Sequence, residues 1–247
     1  MVNVRQDVPV TPEGVLDWSA WVARIAAEYP QLATQPLVDC CAWIQKKHPD
    51  QLAISLELGE LVADLRLDTA SVLAALVYRL VRTERVSKSD LRTRLGNEAT
   101  DLAFSVAAMA TTSLLEMSDS PMLAKEQQSQ VENVKRMLAS MIDDARVAAI
   151  KLAERVLALR QAKDYEPQRR ERIAQEAGSI FSPLANRLGI WQLKWELEDL
   201  SLRYLREDIY LGIAKQLSQK RQQREQQVQA MTERVVVLLR DHGISAE

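Results

Sequence analysis

Leu73-Ala74-Ala75-Leu76-Val77-Tyr78-Arg79-Leu80-Val81-Arg82-Thr83 is too apolar to lie on a surface, yet it carries two arginines. On helical spacing Val72, Ala75, Leu76 and Arg79 share one face, with Leu73, Val77 and Leu80 beside them. The stretch therefore reads as a helix buried round most of its circumference. Arg79 falls on the inward arc, where a cation left without a partner costs ~3–5 kcal/mol. A second stretch, Arg146 to Leu157, repeats the peculiarity with opposite sign. Val147, Ile150, Glu154 and Leu157 follow i, i+3, i+7, i+10, so Glu154 interrupts an apolar stripe. Glu154 faces either Arg79 across two helices or its own neighbours, Lys151 and Arg155, at the helix surface.

Composition extends the helical reading to the whole chain. Of 247 residues 47% are hydrophobic, enough for one large helical domain or two small ones. Seven glycines, eight prolines, two phenylalanines and few β-branched runs argue against sheet. A net charge of −2 gives no general attraction to nucleic acid. Cys40 and Cys41 are adjacent, a poor geometry for a relaxed disulfide, and read as reduced thiols of a cytoplasmic protein. The first residues hold no apolar signal core, and no run approaches the ~18 apolar residues of a membrane span. Histidine is the sharpest bound: His48 and His242 alone cannot make a His-rich metal centre. Neither G-x-x-x-x-G-K-[ST] nor G-x-G-x-x-G occurs, so the two commonest phosphate-cradling loops are absent from the sequence.

Helices extend in both directions. Thr11-Pro12 reads as the start of a helix through Val15, Leu16, Trp18, Trp21 and Ile25, ended by Tyr29-Pro30. Others are expected near 34–47 and 50–64, the latter with Leu52, Leu56, Gly59 and Val62 in register, and Asp68 caps the opening stretch. Ser87 with Asp90 begins a helix that Gly96 ends, and a further helix spans Thr100 to Ala110. Thr111–Gln130 reads as a mobile loop, followed by helicity through Val131, Val134, Leu138 and Met141. Beyond the Glu154 helix, one starts at Tyr165-Glu166-Pro167 and kinks at Pro183, and another runs from Trp191 to Leu205. The last, roughly 208–241, carries Ala214, Leu217, Arg221, Arg224, Val228, Met231, Val235 and Leu238 at 3-4 spacing, a coiled-coil seam with two polar breaks. It reads as a solvated face or as a lever towards a neighbouring domain.

Four blocks resemble the amino-terminal domain of the RelA/SpoT stringent-response proteins, which make and break the alarmone (p)ppGpp. They are Met137–Val147, Ile150-Lys151-Leu152-Ala153-Glu154-Arg155, Ser182-Pro183-Leu184-Ala185-Asn186-Arg187-Leu188-Gly189-Ile190 and Lys194-Trp195-Glu196-Leu197-Glu198-Asp199-Leu200. The resemblance covers roughly residues 50–247, and the 182–200 block is the most specific. It implies an all-α, HD-type fold of roughly ten or more helices, in which bifunctional relatives hold a manganese ion and hydrolyse (p)ppGpp. The expected domains are a hydrolase-like unit, 1–205, and a long linker helix, 206–247.

The family pattern has an early His, a His-Asp pair, a Glu-Asp pair and a final Asp in an Ala-Asp-Arg block. Those positions here hold Ile54, Tyr78-Arg79, Arg82-Thr83 and Glu154, while the family's following His-Asn is Leu157-Ala158. Ile54, Tyr78, Arg79 and Glu154 are thus degenerate metal positions, and Arg82, Thr83 and Ala158 degenerate catalytic ones. The chain resembles the pseudo-hydrolase domain of RelA-type (p)ppGpp synthetases, with no catalytic residue, metal ligand or cofactor of its own. The resemblance implies a parent enzyme that moves pyrophosphate from ATP to the 3′ oxygen of GTP or GDP with Mg²⁺, in a synthetase domain expected beyond Glu247. It also implies partners: that synthetase domain in cis, the ribosome and uncharged tRNA through other domains, and no membrane. Two roles stay open, a regulatory scaffold and a retired site that binds (p)ppGpp or another guanosine nucleotide through Lys46, Arg79 and Arg82. Because the two family aspartates converge on one ion, the resemblance also leads to an Arg79–Glu154 ion pair in its place.

Overall fold

A computed structural model describes residues 8–10, 16–110 and 144–241. They form ten α-helices: α1 Trp18–Glu28, α2 Thr34–Lys47, α3 Leu52–Asp64, α4 Thr69–Arg82, α5 Lys88–Ala110, α6 Ala145–Gln161, α7 Pro167–Glu176, α8 Ser182–Arg187, α9 Trp191–Leu205 and α10 Glu207–Asp241. The all-α expectation holds, and no strand occurs among the described residues beyond an isolated Val10–Leu16 bridge. That bridge corrects the first helix. Leu16 precedes it, and Asp17 caps it by accepting the Ala20 amide at 2.9 Å. The proposed start at Thr11-Pro12, the 111–130 loop and the 131–141 helix lie outside the described residues.

The expected cap of α4 is present: the Asp68 carboxylate accepts the Ser71 amide at 2.8 Å. Ser87 accepts the Asp90 amide at 3.1 Å ahead of α5. At Gly96, with φ +79° and ψ 177°, the backbone leaves the helical region, so the expected break is present and α5 is two helical segments meeting there at a kink. Between α7 and α8, residues Ala177–Phe181 widen into a π turn before Pro183, whose missing N–H cannot continue the α ladder. Gly189, at φ +71°, then closes α8, with the Ile190 amide donating to the Ala185 carbonyl at 2.9 Å.

The chain divides into two compact units between Ser201 and Leu202, a few residues before the expected boundary. In the first, α3, α4 and α6 make the centre and α5 packs on α4 and α6. Val72 to Leu76 and Val147 to Leu157 are buried without interruption, so both stretches singled out by sequence are core helices. Gly59 allows the close approach of α1, α3 and α4: a Cβ there would stand 2.9 Å from Leu76 Cδ2 and 3.3 Å from Trp21. Beside it, the Glu60 carboxylate accepts two hydrogen bonds from Arg24, both at 2.8 Å, and one from Trp21 Nε1 at 3.0 Å.

The second unit holds α10, 35 residues long. Its apolar row is exposed, from Leu217 at 62% through Val228 and Met231 to Leu238 at 58%. No helix among the described residues is long and apolar enough to cross a membrane.

Candidate functional site

Helices α3, α4, α6 and α7 line a cavity of about 420 Å³. Ile54, Tyr78, Arg79, Arg82, Thr83, Glu154 and Ala158 all border it. These positions lie on three helices, and only packing brings them together. Lys46 is not on the wall; it is exposed on the last turn of α2, so its proposed nucleotide contact finds no support in the geometry.

The ion pair expected between Arg79 and Glu154 is absent. Glu154 Oε2 instead lies 2.9 Å from Lys151 Nζ and 3.0 Å from Arg155 Nε, and Oε1 lies 3.5 Å from Arg82 Nη1. The reason is position on the helix. Arg79 is half-buried on the cavity side of α4, whereas Lys151 shares the dry interior of α6, one turn from Glu154. The local alternative read from sequence therefore supplies the partners, but in the core rather than at the surface: Lys151 is 2% exposed and Glu154 7%. Arg155 continues the network to Glu176 at 3.2 Å and stacks 5.2 Å from the centre of the Phe181 ring. Glu176, Arg155 and the ring all arrive from local segments that sequence gave no reason to join.

Charge states follow from this arrangement. Burial by itself would raise the Glu154 carboxyl, but Lys151, Arg155 and Arg82 outweigh it and lower it to about 2. Burial lowers the Lys151 ammonium to about 8; one carboxylate pulls it back up while Arg155 and Arg82 repel it. The two shifts are consistent because three cations share one anion. Tyr78 is raised, first by burial and then by the charge of Glu154.

An HD-type fold raises the question of a divalent metal, and the residues present do not fit one. Of Ile54, Tyr78, Arg79 and Glu154, where the resemblance implies the family's metal positions, only Glu154 offers a carboxylate, and that group is already engaged by Lys151 and Arg155. Among the described residues no cluster of three His, Cys, Asp or Glu could hold an ion. What the cavity has in excess is guanidinium. Arg155, Arg169 and Arg172 join Arg79 and Arg82 on its wall. Sequence reasoning passed over Arg169 and Arg172, although their i, i+3 spacing just after Pro167 was visible.

Comparison with known proteins settles the family. The HD domain model matches residues 41–191. The chain belongs to the HD domain family. Its homologues are proteins of the RelA/SpoT group. It is 34% identical over 257 residues to the GTP pyrophosphokinase of Escherichia coli K12, covering all of this chain and 33% of that protein. It is 40% identical over 205 residues to the GTP pyrophosphokinase of Photobacterium angustum, covering 82% of this chain and 27% of that one. A Synechocystis protein named as a probable guanosine-3′,5′-bis(diphosphate) 3′-pyrophosphohydrolase is 33% identical over 200 residues, 81% of this chain and 25% of its own length. The chain thus spans about a third or less of the curated relatives it matches.

Proposed function

We propose that this chain is a catalytically inactive, (p)ppGpp-hydrolase-like regulatory domain of a stringent-response GTP pyrophosphokinase. The observation that carries the reading is the fate of Glu154. The one carboxylate at the degenerate metal positions is neutralised by Lys151 and Arg155, so the protein's own cations occupy the electrostatic role of an ion. Hydrolysis of a pyrophosphate ester needs an activated water, and among the described residues no cluster of three His, Cys, Asp or Glu could hold a metal to generate one. The whole protein would make (p)ppGpp from ATP and GTP or GDP, using Mg²⁺ in a synthetase domain outside this chain. That domain would be the partner this one biases, with the ribosome and uncharged tRNA engaged elsewhere in a cytoplasmic enzyme. The exposed apolar row of α10 supports a role in such a contact.

The arginines favour a second reading, a guanosine-nucleotide sensor in the same cavity. The first reading is tested by incubating the purified chain with ppGpp and Mn²⁺ and measuring released pyrophosphate. Release equal to the protein-free control is expected. Manganese-dependent turnover that Glu154→Gln abolishes would overturn the proposal.

A further inference from the structure

The cavity carries more positive charge than its carboxylate uses. Arg79 and Arg82 stand i, i+3 on α4, and Arg169 and Arg172 stand i, i+3 on α7, all on one wall system. Among the described residues neither Arg79 nor Arg172 has an ion-pair partner. Arg169 lies on the Tyr165 ring, 4.2 Å from its centre, which holds its planar fork beside the cavity. Ser55, 1% exposed, lines the same space with a hydroxyl that has no hydrogen-bond partner among the described residues. A volume of about 420 Å³ falls within the usual range of small-molecule sites.

We propose that this cavity binds a diphosphate-bearing anion through Arg79, Arg82, Arg169 and Arg172 with no divalent metal. The inference rests on the reading that the metal site is lost, and it adds the chemistry of what replaces the substrate complex. Two guanidinium pairs on two helices suit two phosphoryl groups, because each planar fork matches a pair of phosphate oxygens. Divalent cations then act against binding. They chelate the diphosphate in solution, and the carboxylate on the wall, Glu154, is already engaged by Lys151 and Arg155. This is opposite to the behaviour of a metal-dependent hydrolase.

The test is calorimetry of the 247-residue chain with inorganic pyrophosphate in EDTA. One site is expected, with orthophosphate at least ~10-fold weaker, since half the charge-assisted hydrogen bonds are lost. Arg79→Gln and Arg172→Gln should each weaken pyrophosphate by ~10-fold. Arg92→Gln, which alters a pair with Asp101 outside the cavity wall, should leave it unchanged. Manganese should weaken binding. Absence of binding, binding that requires manganese, or equal affinity in the two cavity variants and the parent would each overturn the proposal. Arg172 is exposed, so Arg172→Gln reports on binding even if Arg79→Gln disturbs the fold, and circular dichroism checks both. Turnover of ppGpp would refute the inactive reading, while absent pyrophosphate binding without turnover would refute this site alone.

Discussion

Glu154→Gln should be among the most damaging single substitutions in the protein. It removes one negative charge, keeps the shape, and leaves the Lys151 ammonium 2% exposed with no carboxylate at 2.9 Å. Breaking a buried pair from one side costs ~3–5 kcal/mol, because the remaining charge loses its compensation but not its desolvation. Arg155 loses less, since Glu176 still faces it at 3.2 Å. For a chain of this length ~2–4 °C is lost per kcal/mol, so Tm should fall by roughly 6–20 °C. Adding Lys151→Met should recover much of the loss, because an apolar side chain of similar length has no charge to strand. Arg79→Gln is the control: with no ion-pair partner among the described residues, it should stay within ~0.5 kcal/mol of the parent. Thermal melts and urea titrations of the four proteins decide the matter. Glu154→Gln costing under ~1 kcal/mol, or Arg79→Gln costing as much as Glu154→Gln, would refute the assignment of partners.

Other consequences are independent of that pair. On acidification the lowered Glu154 carboxyl stays ionised in the folded chain while its unfolded counterpart takes up a proton. Its contribution, full above the ordinary value of 4.5, is therefore lost as pH falls towards about 2, and Glu154→Gln should flatten that part of the stability profile measured by urea midpoints. Lys151 acts at the other end. Between about 8 and 10.5 the unfolded chain holds its proton and the folded one does not, so stability from this group rises with pH. Cys40 and Cys41, whose thiols burial raises, pull the other way, so the slope is read as parent minus Lys151→Met. Glu84 closes α4 at φ +54°, where the Arg85 amide donates to the Leu80 carbonyl at 2.9 Å; Glu84→Gly should relieve the left-handed strain and stabilise by ~0.5–1 kcal/mol in thermal melts. Gly59→Ala should destabilise by ~1 kcal/mol in urea titrations, because the overlap with Leu76 outweighs the gain in helix propensity; a stabilised variant would mean that Leu76 can move aside.

The helices were legible in the sequence because they depend on local information. The largely apolar character of Val72 to Leu80 and of Val147 to Leu157 needs only residue type and order to mark them as core helices. Capping at Asp68 and Ser87 was equally local. The break at Gly96 was local too, since glycine adopts the positive φ found there without a Cβ penalty.

Sequence by itself determined that Glu154 interrupts an apolar stripe with cations within one helical turn, and that too few histidines exist for a His-rich metal centre. Only the tertiary structure decided which cations it takes. Arg79, Arg82, Lys151 and Arg155 are equally basic on paper, and the energy of an ion pair depends on distance and on exclusion of water, both set by how α4 seats against α6. The arrival of Arg169 and Arg172 at the same cavity is likewise a property of packing, since nothing in the order of residues brings α7 to α3 and α4.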